Sequence, residues 1–195
     1  MSSNRSFEEL LAAVEHVDGW MSPDQAERLF RAAQSAREGD SIVEIGSFRG
    51  RSTVILAGAA GDGVQVIAID PHAGNDRGPQ EFEGFEQEAD EDNQVFNANL
   101  AAAGVADKVR HVRAFSDKAH DAVSGRITVL YIDGAHRYGP AHADVRDWGA
   151  RVAPGGTLLI HDSFSSLGVT GAILRELAFG GRFRYVGRAR SLTEY

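Results

Sequence analysis

Short, almost wholly apolar runs recur along the chain, separated by longer stretches with helical periodicity. Ile42, Val43 and Ile45 mark the first run; 66–70, 127–132 and 157–160 follow, and the more mixed stretches 109–114 and 182–188 complete six expected strands. Runs without polar alternation suit strands buried on both faces, as in a parallel sheet. Between them the pattern predicts helices over 52–60, 93–103, 118–123, 141–151 and 169–179. Two amphipathic helices, 7–17 and 24–37, come before the first strand, and Ser22-Pro23-Asp24 supplies start signals for the second. Gly104 closes one helix, and Pro154-Gly155-Gly156 stops another. Such alternation implies a doubly wound, mostly parallel α/β sheet. Only 191–195 remains for a last, antiparallel strand, so that edge is expected to be thin, or shared with a second copy in a homodimer.

The turn after the first strand carries the strongest functional signal. It reads Glu44-x-Gly46-x-x-x-Gly50, and the second strand ends in Asp70. Glycines there let the backbone turn tightly and approach a ligand. An acid at the second strand end accepts hydrogen bonds from vicinal ribose hydroxyls, the plan of a nucleoside-binding half. A dinucleotide fingerprint needs G-x-G-x-x-G, but Phe48 and Arg51 break it. A P-loop needs a different spacing before Gly50 and a lysine after it. An acid inside the strand end repels phosphate and suits a ligand bearing an amino group and a sulfonium.

Strand ends of a parallel sheet converge on one edge, where ligands bind. Here those ends are polar: Glu44, Gly46 and Ser47; Asp70 and His72; Phe115, Ser116 and Asp117; Asp133 to Tyr138; His161, Asp162 and Ser163. Five such ends together point to a site.

The glycine turn with Asp70 resembles the first motif of class I S-adenosylmethionine-dependent methyltransferases. Asp133-Gly134-Ala135-His136-Arg137-Tyr138, Pro154-Gly155-Gly156 and His161-Asp162 resemble the metal-dependent small-molecule O-methyltransferases of the macrolide-sugar type. Catechol-type enzymes are more distant relatives. The resemblance spans roughly residues 20–180. It implies a seven-stranded, Rossmann-like sheet with N-terminal helices (1–37), in one domain over 1–195. It implies S-adenosylmethionine against Glu44, Gly46, Ser47, Gly50, Ser52, Asp70, Phe115, Ser116 and Asp133. It implies Mg²⁺ or Mn²⁺ held by Asp133 and Asp162, and His136 as general base, with Asp133 also in the catalytic set. His161 stands where those enzymes usually carry an acid, so it either binds the metal or orients Asp162.

The chemistry wants these residue types. Methyl transfer from a sulfonium is an in-line displacement, so the protein chiefly positions the acceptor and removes its proton. A divalent cation on two carboxylates holds neighbouring oxygens and acidifies one of them. Oxygen ligands favour Mg²⁺ or Mn²⁺, and an ordinary histidine, with a pKa of ~6.5, accepts a proton near neutrality. The alternatives are structural: Asp133 and Asp162 as turn caps, His136 as a hydrogen-bonding group, Asp117 as a helix cap.

Composition narrows the field. At 195 residues and 43% hydrophobic, the chain is long enough for one sizeable core. The absence of cysteine excludes disulfides and thiolate chemistry. A net charge of −8 disfavours nucleic acid. No run is long enough to span a membrane, and Met1–Leu10 lacks a signal-peptide pattern, so a cytoplasmic location is expected. Acid concentrates in 80–92, after the Gly- and Pro-rich 71–79. The whole of 71–93 follows the second strand, over the crevice, as either a mobile lid or a solvated surface helix.

The acceptor implied is a small hydroxylated molecule, a sugar or other vicinal diol first and a catechol second. Two other classes fit the same architecture: a nicotinamide-dependent oxidoreductase, against which the broken glycine pattern counts, and a non-catalytic cofactor-binding module.

Overall fold

The structure is a computed structural model that describes residues 5–73, 86–178 and 181–195. The candidate lid lies mostly outside them; only its two ends are described. Seven strands form one sheet in the order β3-β2-β1-β4-β5-β7-β6. β1 (Asp40–Ile45), β2 (Gln65–Ile69), β3 (Val109–Val112), β4 (Arg126–Ile132) and β5 (Val152–Ile160) are parallel. β7 (Leu192–Glu194) joins β5 antiparallel, and β6 (Gly187–Ala189) joins β7.

Each strand is held by what its sequence offers both faces. Every residue of β1 is buried, as expected of a strand with helices on both sides. One face packs Ile42, Val66, Val129, Tyr131 and Leu159 against α1 (Phe7–Ala13), α2 (Pro23–Ser35), α3 (Arg51–Ala59) and α4 (Glu86–Ala102). The other packs Val43, Ile67, Leu130, Ile132 and Ile160 against α6 (Leu167–Glu176) and the helical stretch 138–151.

Local signals start the helices. Ser6 and Glu9 form a reciprocal capping box on α1. On α2, Pro23 sits in the first turn and the backbone nitrogen of Ser22 donates to the Gln25 side chain. Among the described residues no helix is long and apolar enough to cross a membrane.

Several expected boundaries move. α4 begins at Glu86, inside the acidic run, and not at 93. The helix expected over 141–151 is α5 (Tyr138–Ala143), then a π-turn at Asp144–Trp148 and a 3₁₀ turn at Gly149–Arg151. Pro154-Gly155-Gly156 does not merely stop a helix; it lies inside β5, where the pairing with β4 shifts register between Ile127 and Val129. The strand expected over 182–188 shrinks to three residues, because only β7 offers it a partner.

Strand order reverses between β1 and β4, whose neighbours lead to opposite edges of the sheet. In open α/β sheets, that switch point opens a crevice at the carboxyl ends of the strands.

Candidate active site

The crevice is a cavity of about 820 Å³. Its described lining comes from the ends of β1, β2, β3 and β4 and from the linker between α1 and α2.

The glycine turn is shaped by close approach. Gly46 has φ +84°, and a Cβ on it would lie 2.3 Å from the carbonyl oxygen of Asp133. No side chain fits there, and only glycine lets the turn after β1 lie directly against the end of β4. Asp70 then fixes the turn. Its Oδ2 accepts from the backbone nitrogens of Ser47 and Phe48, both at 2.8 Å, and its Oδ1 from that of His72 at 2.7 Å. Phe48 and His72 both take positive φ, 45° and 44°. Bulky residues rarely hold that conformation without surrounding support, and the Asp70 carboxylate supplies it to both. Ser47 Oγ is buried with no hydrogen-bond partner among the described residues.

Gly46, Ser47, Ser52 and Asp70 border the cavity, while Glu44 and Gly50 do not. Glu44 is fully buried behind the turn and accepts from the Ser52 and Thr53 hydroxyls. Burial outweighs those two bonds, and its pKa rises to about 8. Gly50 caps α3 with φ +86° and faces Phe96. Both shape the turn from behind.

Phe115 and Ser116, after β3, form the next wall; the Phe115 ring is 61% exposed. Ser116 is gripped from the π-turn: its hydroxyl donates to Asp144 Oδ1 at 2.5 Å, and its carbonyl accepts from Trp148 Nε1 at 3.3 Å. Asp144 lines the cavity although it is only 4% exposed, and burial raises its pKa to about 6. Nothing in the sequence pattern distinguished it.

The ends of β4 and β5 bring four polar residues together. Ile132 pairs with Ile160, so the residues after each strand stand abreast. Ligand atoms of Asp133, His136 and Asp162 all lie within 4.8 Å of one another. His136 Nε2 is 2.6 Å from Asp162 Oδ2. The hydrogen bond from His136, with the His161 ring close by, holds the Asp162 carboxyl well below the usual range. An ionised carboxylate only accepts, so Nε2 of His136 carries the hydrogen and Nδ1 is the ring's acceptor. Asp162 takes φ +52°, a left-handed conformation that Asp tolerates better than most residues.

Tyr131, two residues before Asp133 and hence on the same strand face, donates its hydroxyl to Asp133 Oδ2 at 2.8 Å. The other oxygen, Oδ1, is buried without an aligned hydrogen bond among the described residues. His161 Nδ1 lies 3.1 Å from it and 3.4 Å from Asp162 Oδ2, likewise unaligned. Burial acts to lower the His161 pKa, but the two carboxylates overcome it and push the pKa up. Gln25 opposes a second proton. Its Oε1 is committed to the Ser22 backbone nitrogen at 2.9 Å, so its Nε2 faces His161 Nε2 at 3.2 Å as a donor. We assign His161 the Nδ1–H tautomer on this contact, with Nε2 accepting.

Two carboxylates, one with an orphaned buried oxygen, beside imidazole nitrogen form a donor set that fits a divalent cation. Asp133 and Asp162 supply hard oxygens. His161 stands beside both carboxylates, its Nδ1 3.1 Å from Asp133 and 3.4 Å from Asp162, with its Nε2 against Gln25.

The mouth is framed by Trp20, 57% exposed, whose ring centroid lies 5.6 Å from that of Phe48. Arg49 Nε reaches Asp92 of α4 at 2.7 Å and its Nη1 reaches Asp18, tying the linker and α4 to the glycine turn.

A crevice at the switch point, with the glycine turn on one side and the acid after β2 beside it, belongs to a class I methyltransferase fold. Residues 43–163, more than half the chain, match the family model described as a methyltransferase domain, and the chain belongs to that family. Among solved structures it is similar to the O-methyltransferase NovP, with a TM-score of 0.71 and 16% identity over 89% of this chain and 79% of that one. It is similar to the O-methyltransferase TomG of Streptomyces achromogenes, involved in tomaymycin synthesis and solved with S-adenosylmethionine: TM-score 0.62, 16% identity, 99% of this chain and 89% of that one. The O-methyltransferase of Bacillus cereus, solved with S-adenosylhomocysteine, gives 0.65 at 16% identity, over 100% and 90%. At such identities the likeness is one of fold.

Proposed function

We propose that the protein transfers the methyl group of S-adenosylmethionine to a hydroxyl of a small molecule, a sugar or other vicinal diol, with a divalent cation held by Asp133 and Asp162. The observation that carries this reading is the meeting of Asp133, His136 and Asp162 within 4.8 Å, with Asp133 and His136 bordering the same cavity as the glycine turn.

In this reading Asp70 receives the ribose hydroxyls, and Ser47 Oγ turns to the donor's amino-acid end. His136 Nδ1 takes the acceptor proton, while Asp162 holds Nε2–H and so fixes the ring. The acceptor oxygen attacks the methyl carbon; the carbon–sulfur bond breaks and its electron pair returns to sulfur, leaving S-adenosylhomocysteine. A cation held by Asp133 and Asp162 would lower the pKa of an acceptor hydroxyl and help to hold the acceptor. A catechol offers the same pair of oxygens and is the runner-up acceptor.

A second reading rests on the same cluster: His136 lies within ligand distance of both carboxylates and serves as a third metal ligand instead of a base.

Transfer of labelled methyl from S-adenosylmethionine, measured across sugars and catechols with and without chelator, tests the proposal. Methylation of a sugar hydroxyl that depends on metal supports it. Binding of S-adenosylhomocysteine with methylation only of nitrogen acceptors would overturn the O-transfer reading.

A further inference from the structure

We propose that Tyr131 is the positioning residue of the acidic cluster: from inside the core, its hydroxyl fixes the Asp133 carboxylate where it meets Asp162 and His136. The proposal rests on the metal reading given above.

A phenol is an unusual group for this strand. β4 reads Arg-Ile-Thr-Val-Leu-Tyr-Ile, and every residue from Ile127 to Ile132 is buried. Tyr131 is 1% exposed and shares the core with Ile42, Val129 and Leu159. A phenylalanine would fill nearly the same volume with no polar atom to satisfy. A buried phenol needs a hydrogen-bond partner, and this one donates to Asp133 Oδ2 at 2.8 Å.

Two carboxylates compete for that hydroxyl. Glu44 of β1 pairs directly with Tyr131, and Asp133 follows Tyr131 by two residues on the same face. Glu44 has donors of its own, the Ser52 hydroxyl on Oε1 and the Thr53 hydroxyl on Oε2. The hydroxyls are thus divided, two to the acid behind the glycine turn and one to the acid of the cluster.

Asp133 has little else to hold it. Its Oδ1 is buried without a hydrogen bond among the described residues, and His161 Nδ1, 3.1 Å away, is not aligned with it. Asp162 is held differently, by His136, a residue that borders the cavity. A contact on the cavity side is remade when a ligand enters, whereas the bond from Tyr131 comes from the packed core and persists. A free carboxylate loses rotamer freedom when it meets a cation. Tyr131 removes that freedom beforehand, so the cost of ordering Asp133 falls on folding and not on binding.

Tyr131→Phe, which keeps the ring and removes one oxygen, tests the proposal. Electron paramagnetic resonance measures Mn²⁺ binding to wild type and variant without donor or acceptor, and the metal-free variant is crystallised. We expect Mn²⁺ affinity to fall by roughly ten- to hundred-fold, the usual effect of losing a group that orients a metal ligand. In the crystal, the Asp133 carboxylate should turn away from Asp162 and align with His161 Nδ1. Unchanged Mn²⁺ affinity overturns the proposal even if the melting temperature drops, because a phenol that only stabilises the sheet behaves that way. An Asp133 that keeps its place in the variant overturns it equally. If Tyr131→Phe does not fold, the Tyr131 hydroxyl proton decides: in wild type it should exchange slowly by NMR, and its resonance should move in Asp133→Asn. An unmoved resonance ends the proposal. Wild type that binds no Mn²⁺ brings down the metal reading instead, and the position of Asp133 in the Tyr131→Phe crystal then decides the role of Tyr131 by itself.

Discussion

The Asp70 carboxylate lies 2.8 Å from the backbone nitrogen of Ser47, joining the end of β2 to the turn after β1. The acid expected to receive the ribose is thus already engaged, by three backbone donors. A carboxylate has about four acceptor positions, so one remains for a hydroxyl. In the proposed reading, shaping the turn and receiving the nucleoside both fall to this one side chain.

Asp70→Ala should therefore fail in two measurements. Without ligand, its melting temperature should drop, because Phe48 and His72 lose the support for their positive φ angles. Calorimetry should show S-adenosylhomocysteine weakened by about 1.5–3 kcal/mol, the value of a hydrogen bond to a charged group. A variant as stable as wild type, with undiminished affinity, would remove both duties.

Much of this fold was legible because buried parallel strands leave an unmistakable record: 127–132 and 66–70 have almost no polar residue to place. The Asp133–Asp162 pair was legible because β4 and β5 end in register. The failures have physical causes. The alternation in 182–188 reads as strand, but a strand needs a partner, and only Gly187–Ala189 finds one along β7. The partners of Glu44 were equally hidden: every position of β1 is covered, and its carboxyl accepts from Ser52 and Thr53. Gln25 and His161 are 136 residues apart in sequence, and no local pattern announces such a contact. The π-turn that aims Asp144 leaves no trace in a helical periodicity.

Chelation should abolish activity, and Mg²⁺ or Mn²⁺ should restore it. Asp133→Asn and Asp162→Asn should each raise the metal concentration needed for half activity by about ten-fold or more, the effect expected when a charged ligand is neutralised. Full activity in excess chelator, with elemental analysis confirming no bound metal, would make the pair structural.

The tautomer of His161 is open to nitrogen NMR. With Gln25 donating to Nε2, that nitrogen should show the shift of an unprotonated imidazole nitrogen at neutral pH, and Nδ1 that of a protonated one. Gln25→Glu should convert His161 to the doubly protonated ring, since the new carboxylate accepts where the amide donated. A doubly protonated His161 in the wild type would show that Asp133 and Asp162 prevail over Gln25.

Glu44 makes stability fall with pH. Its folded pKa, raised by burial to about 8, exceeds the ordinary value of 4.5. The folded state therefore binds the proton more tightly. The stabilisation is fully present below pH 4.5 and is lost as pH rises towards 8. Glu44→Gln, which cannot ionise, should gain melting temperature relative to wild type as pH goes from 5 to 8. Parallel curves for the two proteins would place the Glu44 pKa near its ordinary value.

The bond between His136 Nε2 and Asp162 Oδ2, at 2.6 Å, bears on two roles for His136. As a base, His136 accepts through Nδ1, and Asp162 acts by fixing the ring and stabilising its charged form. His136→Ala should then lower kcat by ~10²–10⁴ and leave the metal requirement and S-adenosylhomocysteine affinity where they were. The wild-type rate should fall as pH falls, because a doubly protonated ring accepts nothing, and the variant should lose that limb of the profile. As a third metal ligand, His136 contributes affinity instead. Its removal should then raise the metal concentration for half activity, and excess Mn²⁺ should bring kcat back to within a few-fold of wild type. Titrating metal against kcat for wild type and His136→Ala, at two pH values, separates the roles. Asp162 already takes the Nε2 hydrogen, so a cation bound at that nitrogen would have to displace it, whereas Nδ1 keeps its lone pair. A variant rescued by Mn²⁺ would mean that this hydrogen leaves when the metal arrives, and that the acceptor proton departs by another route.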